Sequence, residues 1–311
     1  PLFRSSAASD VYKRQQEVSR GLLYFDLSEL KTIIETKASS TDSSLKIKLV
    51  LTDVQGTQVA PSDFTLQLYA LKAAWEEGIG SNVTAFNDLD ATNWVSRSLG
   101  NEWTTAGAFE GDETLVGSQS FTTGEENLEI DVTTWVKSHW ADSSGVPNHG
   151  WLLKFTASQE TNNKSYFVKR FATRHARNPF VRPKIVASWE NYYLDDRLEF
   201  DAMTTNKIAI RNFSKGVPTS FPSSSVPSLT LSSGSWSKTG ISCTAVSLAG
   251  KAQDGMYQAS FKMDVINDSD YTDLATNLFA TGSLVIQEKW YDGTFLILSL
   301  IHISEPTRLA T

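Results

Sequence analysis

The stretch LKIKLVL at residues 45–51 decides the fold of this chain. Its apolar residues occupy every second position from Leu45 to Leu51, and Lys46 and Lys48 lie between them. Successive side chains of a strand point to opposite faces, so this alternation predicts a strand that buries one face and exposes the other.

The same alternation recurs along the first two thirds of the chain. It is found in FTLQLYAL at residues 64–71, GWLLKFTAS at residues 150–158 and RPKIVASW at residues 182–189. In the second of these, Trp151, Leu153 and Phe155 are predicted to point inward and Lys154 outward. Turn clusters rich in Gly, Ser, Asn and Asp separate the strands. The pattern therefore predicts an all-β fold of the β-sandwich or jelly-roll type.

One segment follows a helical period instead. In DVTTWVKSHW, at residues 131–140, the apolar residues recur at spacings of three and four, which predicts one short helix. Asp131 is a suitable N-cap because its carboxylate can accept hydrogen bonds from the first turn, and residues 142–145 end the helix. His139 lies on the apolar stripe, which favours a packed histidine over a metal ligand.

The sequence divides into a larger and a smaller part. Residues 16–190 are predicted to form the sandwich, residues 191–200 a charged linker, and residues 201–298 a second, smaller β domain. In the second domain, turns are predicted at Asp254 and Gly255 and at Asp292 and Gly293. Residues 1–15 and 299–311 resemble translated sequencing-adapter read-through, which would make them artefactual tails; natural disordered tails are the alternative.

Composition excludes several classes of function. The chain has 311 residues, a formal net charge of -7 and a pI near 5.2, which argue against bulk nucleic-acid binding. No apolar run approaches the ~20 residues of a membrane helix. Cys243 is the single cysteine, so an internal disulfide is impossible. No HExxH, CxxC, GxSxG or glycine-rich phosphate motif is present, and we expect a protein that is not an enzyme and binds no cofactor.

Carboxylates in two loops are candidate ligands for a calcium ion. WEEG at residues 75–78 and EGDE at residues 110–113 are candidates for calcium or sugar contacts, and their alternative role is simple solvation. Three loop tryptophans, Trp75, Trp94 and Trp103, have a similar ambiguity. Their rings can stack on sugars, or they can close the ends of the sandwich.

The stretch SYFVKRFATRHARNPFVRP at residues 165–183 contains five Lys or Arg residues and no Asp or Glu. Its alternation predicts an edge strand with a cleanly apolar face on neither side. Exposed cations on such an edge discourage pairing with other strands, and they also suit the docking of an acidic partner. Both interpretations stay open. The candidate binding residues are Lys169, Arg170, Arg174, His175 and Arg177.

The segments SRGLLYFDLSEL, LQLYALKAAWEEGIG, LEIDVTTWVKSHW, NHGWLLKFTASQE and RPKIVASW occur in this order between residues 19 and 190. Together they resemble the DNRLRE-type domain, a β-sandwich related to carbohydrate-binding modules. The stretch from residue 165 to residue 200, followed by DGMYQASF, resembles uncharacterised virion structural proteins of marine tailed phages.

The resemblance implies no catalytic residues. It implies a virion protein, tail-associated or decorating the particle, whose partners are other virion proteins or a cell-surface glycan and which can form oligomers. The alternative is a secreted bacterial carbohydrate-binding module detached from a polysaccharide-degrading enzyme. No nucleic acid or membrane is expected as a partner in either case.

Overall fold

The computed structural model describes residues 18–55, 62–78, 91–111, 113–141, 145–162, 169–198, 200–201, 203–223, 226–263 and 284–304. The chain divides into two compact units between Trp189 and Glu190. Both units consist mainly of antiparallel strands, and the predicted all-β fold is confirmed.

The first unit contains short strands and three α-helices within its described residues. The elements are β1 (Gly21–Leu23), α1 (Leu27–Glu35), β2 (Lys46–Leu51), β3 (Phe64–Ala70), β4 (Ser96–Ser98), β5 (Asn101–Glu102), β6 (Thr114–Phe121), β7 (Leu128–Asp131), α2 (Thr133–Trp140), β8 (Trp151–Phe155), α3 (Ala157–Thr161) and β9 (Lys184–Ser188). A 3-10 turn spans Pro179–Val181.

Two antiparallel sheets form the body of this unit. One has the strand order β1-β8-β3-β6, the other has the order β7-β2-β9, and β4 pairs with β5 in a separate hairpin. In β2, Ile47, Leu49 and Leu51 are buried while Lys46 and Lys48 are exposed, as the alternation predicted. Alternate residues of β3, beginning at Phe64, are buried in the same way. The buried faces of both sheets supply the core.

Strand β8 departs from its predicted pattern. All five of its residues are buried, including Lys154, which was predicted to point to solvent. The outer face of this strand is covered by the segment around β4 and β5, whose Trp103 and Ala108 pack with Leu71 and Leu152 in a second apolar cluster. Lys154 is therefore enclosed beneath that cover.

The predicted helix is present as α2, but it is one of three α-helices among the described residues. The Asp131 carboxylate accepts a hydrogen bond from the Thr133 N–H at 2.8 Å, although Asp131 lies one position before the N-cap, Val132. His139 stacks on Trp135, which fits a packed histidine. Sequence analysis missed α1, whose N-cap Asp26 accepts a bond from the Ser28 N–H. It also missed the five-residue α3.

The second unit is built around one antiparallel sheet of the order β10-β15-β14-β13-β16-β17. Its strands are β10 (Thr205–Arg211), β11 (Phe213–Ser214), β12 (Val217–Pro218), β13 (Ser228–Ser233), β14 (Trp236–Leu248), β15 (Lys251–Lys262), β16 (Leu284–Asp292) and β17 (Phe295–Ser304). Buried residues from Phe200 to Trp290 form its core. Strand β17 includes residues 299–304, which were assigned to the second tail and which pair with β16.

Of the two turns predicted in this unit, one is confirmed and one is wrong. The hairpin at Asp292 and Gly293 joins β16 to β17. Gly255 lies inside β15, and the chain reverses instead at Ala249 and Gly250. Gly255 adopts a φ of +67°, and a Cβ at this position would meet the Thr219 carbonyl, so glycine serves a close backbone approach here.

The segment expected to be a linker packs within the second unit. A 3-10 turn at Asp196–Leu198 lies beside β10, and Phe200 is buried in the core. Arg197 donates from Nε and Nη2 to the two carboxylate oxygens of Glu288, at 2.9 Å each. The Glu288 hydrogen bonds and charge outweigh the effect of burial and raise the pKa of Arg197. Arg197 therefore keeps its charge inside the unit.

Candidate interaction surface

The described part of the basic stretch, residues 169–183, forms no strand, so the predicted edge strand is wrong there. Phe171 forms a bridge with Asp53, supported by a hydrogen bond from the Ala172 N–H to the Thr52 carbonyl at 2.9 Å. Beyond it come turns and the 3-10 turn. Pro179 and Pro183 lack the N–H that a paired strand requires, which explains the irregular path. Residues 165–168 lie outside the described residues.

Lys169 is buried and does not belong to the exposed surface, contrary to the prediction. Its side chain is only 1% exposed, and its Nζ lies 2.6 Å from the Asp53 carboxylate. The same ammonium donates to the carbonyl oxygens of Gly124 and Glu126, at 2.8 Å each. It also lies over the Phe121 ring. With all three donors used, Lys169 anchors the start of the basic stretch to the sandwich.

The turn that binds Lys169 is itself stabilised by a carboxylate, that of Glu126. The Glu126 carboxylate accepts hydrogen bonds from the backbone N–H groups of Thr122 and Thr123, at 2.9 and 2.8 Å. These bonds favour the ionised form and lower the pKa of Glu126 to about 2. The turn therefore presents its carbonyls to Lys169 in a fixed geometry.

Two further predicted residues differ in their surroundings. Arg170 is half-buried, and its buried Nε has no hydrogen-bond partner among the described residues. Arg174 is exposed and lies 2.9 Å from the Glu77 carboxylate, and its Nε contacts the His175 ring. Because a surface ion pair of this kind is worth little, Arg174 stays accessible to a partner. His175 is exposed as predicted.

The accessible cations lie in residues 174–184, a segment that we name the basic loop. Arg177, Arg182 and Lys184 are exposed, and none of them forms a salt bridge with the described residues. Between them, Phe180 is 81% exposed. The predicted site residues included Arg177 and the predicted basic stretch included Arg182, but no role was predicted for Phe180 or Lys184. The available signal was FVRPK, an aromatic residue and two cations beside prolines, with no acidic residue nearby.

The basic loop is held in one conformation by its own hydrogen bonds. The Asn178 side chain accepts from the Phe180 N–H at 3.0 Å, and the Arg182 Nε donates to the Ala176 carbonyl at 2.9 Å. Two prolines restrict the backbone further. The loop therefore presents Phe180 and its neighbouring cations with little conformational freedom to lose on binding.

The tryptophans separate into structural and accessible residues. Trp103 is buried and donates its Nε1–H to the Asn93 carbonyl, which agrees with the alternative that it closes an end of the sandwich; glycan binding by Trp103 stays a prediction. Trp75 is partly buried in the same apolar cluster and donates to the His149 carbonyl. Trp94 is 44% exposed, and the Arg20 guanidinium covers one face of its ring at 4.9 Å from the centroid.

A buried charge cluster, missed by sequence analysis, fixes the cover over β8. Arg20 donates from Nε and Nη2 to the Glu160 carboxylate at 3.0 and 2.7 Å, and from Nη1 to the Gly107 carbonyl at 2.5 Å. Lys154 lies 3.6 Å from the same carboxylate. Burial lowers the pKa of Lys154, and Glu160 partly offsets this effect. The cluster ties β1, β8 and α3 to the segment around Gly107.

The acidic loop motifs do not form a metal centre in the described residues. No group of three or more His, Cys, Asp or Glu side chains is placed to hold an ion there. Glu77 pairs with Arg174, and Glu110 accepts a hydrogen bond from the Thr104 hydroxyl at 2.5 Å. Asp112, the second of the three acids in the EGDE motif, lies outside the described residues.

Comparisons with known proteins found no relative. No family model, curated protein or solved structure matches the chain. The resemblance to the DNRLRE-type domain and to phage virion proteins therefore stays a prediction. Among the described helices, none has the length and apolar character needed to cross a membrane.

Proposed function

We propose that this chain is a non-enzymatic structural protein of a tailed-phage virion, tail-associated or decorating the particle, that docks an acidic partner through the basic loop. The single observation that supports this most is the exposed Phe180 near Arg177, Arg182 and Lys184 in sequence, three exposed cations that form no salt bridge with the described residues. Interface anchors are commonly aromatic residues and arginines, and single-sign charge suits partners of the opposite sign.

Two features of the chain agree with a scaffold role. Both units are all-β bodies with buried aromatic cores, and such folds serve many functions, so the fold supports the proposal without proving it. The charge distribution is more specific, because the basic loop of this acidic chain holds four Lys and Arg residues and no Asp or Glu. On this proposal the protein resides in the virion and its partners are other virion proteins.

The genes that flank the coding sequence test the virion role directly. We expect capsid, portal and tail genes on the same contig. Genes for polysaccharide-degrading enzymes in their place would contradict the proposal and favour the secreted module. A second test measures binding of the purified chain to the products of the neighbouring virion genes at low and high salt.

The alternative function, glycan binding by a secreted module, keeps one supporting observation. Trp94 offers an exposed ring, backed by Arg20, on which a sugar can stack. Glycan-array binding that is lost in Trp94→Ala and retained in Arg177→Glu would support it. Binding lost only when Trp103 is replaced would instead indicate damage to the fold, because Trp103 is buried.

A further inference from the structure

We propose that the basic loop binds residues 190–196 of a second copy of this chain. We name that stretch, ENYYLDD, the acidic segment. The inference rests on the proposed function in one respect, namely that the basic loop is a docking surface. It goes further by naming the partner, so that the chain assembles with itself.

An exposed aromatic ring lies within the sequence of the basic loop. Phe180 is 81% exposed, and Arg182 and Lys184 lie close to it because their side chains contact the carbonyls of Ala176 and Phe180. An apolar anchor with a polar rim is the usual anatomy of a protein interface. The partner must therefore offer apolar surface within a rim of negative charge.

The rest of the chain carries charge of the opposite sign to the basic loop. Residues 161–189 contain seven Lys and Arg residues and no Asp or Glu. Since the whole chain has a net charge of -7, the residues outside that stretch carry a net charge of -14. Any second copy therefore presents a surface of the required sign, and opposite charges both steer and align two such copies.

The acidic segment combines exposed apolar side chains with acidic residues, and this composition is complementary to Phe180 and the cations of the basic loop. Tyr192 and Leu194 are 60% and 72% exposed, which gives the ring an apolar contact. Three of the seven residues are acidic and none is basic. Arg197, the nearest cation in sequence, faces two carboxylates, those of Asp195 and Glu288, so it does not cancel the local negative charge.

Sedimentation velocity on the full chain gives the first measurement. We expect concentration-dependent association at low salt, weakened at least about tenfold in Kd at high salt because the cations of the basic loop are exposed and salt screens their attraction to the opposite charge. Phe180→Ser leaves every charge in place and should weaken association at both salt concentrations. A wild-type chain that stays monomeric at every concentration and salt would overturn the proposal.

A pair of complementary charge variants identifies the partner surface. One variant, Arg177→Glu with Lys184→Glu, lowers the charge of the basic loop by four and leaves the loop without net charge. A second, Asn191→Lys with Leu194→Lys, offsets two of the three negative charges of the acidic segment at two exposed positions. Each variant alone should be monomeric, and an equimolar mixture should associate because the second variant keeps an intact basic loop and the first keeps an intact acidic segment. A mixture that stays monomeric would overturn the assignment of the acidic segment.

A matched control separates a local effect from net charge. Lys37→Glu with Lys215→Glu changes the net charge by the same amount as the first variant, at exposed positions that belong neither to the basic loop nor to the acidic segment, and it should leave association unchanged. Dextran sulfate serves as a probe of polyanion binding. A monomeric wild type that binds dextran sulfate through Arg177 and Lys184 would replace self-association with an anionic glycan as the ligand.

The failures of the two proposals are distinguishable. Self-association without phage genes nearby would reject the virion role and support this inference. Phage genes beside a strictly monomeric protein would do the reverse.

Discussion

The ammonium of Lys169 lies 2.6 Å from the carboxylate of Asp53, although 116 residues separate the two in sequence. Two backbone carbonyls complete the coordination of this ammonium, and its side chain is almost wholly buried. The first cation of the basic stretch thus makes a buried structural contact, and the exposed cations of the stretch begin at Arg174.

Lys169→Met is expected to lower the free energy of unfolding of the first unit by about 3–5 kcal/mol, because Asp53 loses its buried partner. Chemical denaturation measures the loss. Lys37→Met, at an exposed lysine, is the control and should have an effect of about 0.5 kcal/mol or less. A similar small effect for Lys169→Met would contradict the anchoring role.

Glu126→Gln should make stability less dependent on pH in the acid range. The fold lowers the pKa of Glu126 from 4.5 to about 2, so the carboxylate stabilises the folded state fully above pH 4.5. That contribution is lost as the pH falls toward 2. We expect the variant to be less stable than the parent at neutral pH and equally stable near pH 2.

Unfolding titrations at several pH values check this expectation. Glu125→Gln, at the exposed neighbouring carboxylate, should follow the parent at each pH. A stability difference between Glu126→Gln and the parent that stays constant down to pH 2 would contradict the assignment.

Trp103→Ala and Trp94→Ala should differ in what they damage. Trp103 is buried, so its removal is expected to cost about 3–5 kcal/mol of stability. Trp94 is partly exposed, and its loss should cost about 1 kcal/mol, mainly the contact with Arg20. Denaturation of both variants measures this. If Trp103→Ala proved as stable as the parent, the cover over β8 would not depend on Trp103.

Arg197→Met should destabilise the second unit by about 3–5 kcal/mol, because the fully buried Glu288 carboxylate loses its bidentate contact with the guanidinium. Adding Glu288→Gln should recover part of the loss, since the amide is neutral and can still accept from Trp290. Hydrogen exchange of the β16 amides assigns the effect to this unit. A double variant less stable than Arg197→Met would contradict the pairing.

The strands that the sequence predicted best are those with one solvent-exposed face. In β2 the exposed lysines alternate with core residues, so the period of two is visible. Strand β8 hides this signal because a loop segment covers its outer face, and Lys154 is tolerated there only beside Glu160. A covering segment that comes from elsewhere in the chain leaves no trace in the local pattern.

Helix α1 could have been predicted from the sequence. Asp26 followed by Glu29 three positions later is the usual signature of a helix start, and Ser28 confirms the cap with its N–H. The role of Lys169 was not within reach, because Asp53 and the turn at Gly124 are distant in sequence. The exposed cations were partly predictable, since a loop without acids has few internal partners to offer.

The carboxylates of Asp195 and Asp196 accept hydrogen bonds from the backbone N–H groups of Ala209 and Lys207, at 3.1 and 2.7 Å. These two N–H groups lie on the outer side of β10, the terminal strand of its sheet. Because side chains from the same molecule already saturate these donors, an incoming extended peptide finds no vacancy along this stretch of the border. Together with Arg197, whose Nη2 donates to the Ala209 carbonyl at 2.6 Å, the two aspartates close this part of the sheet to templated growth without any extra strand.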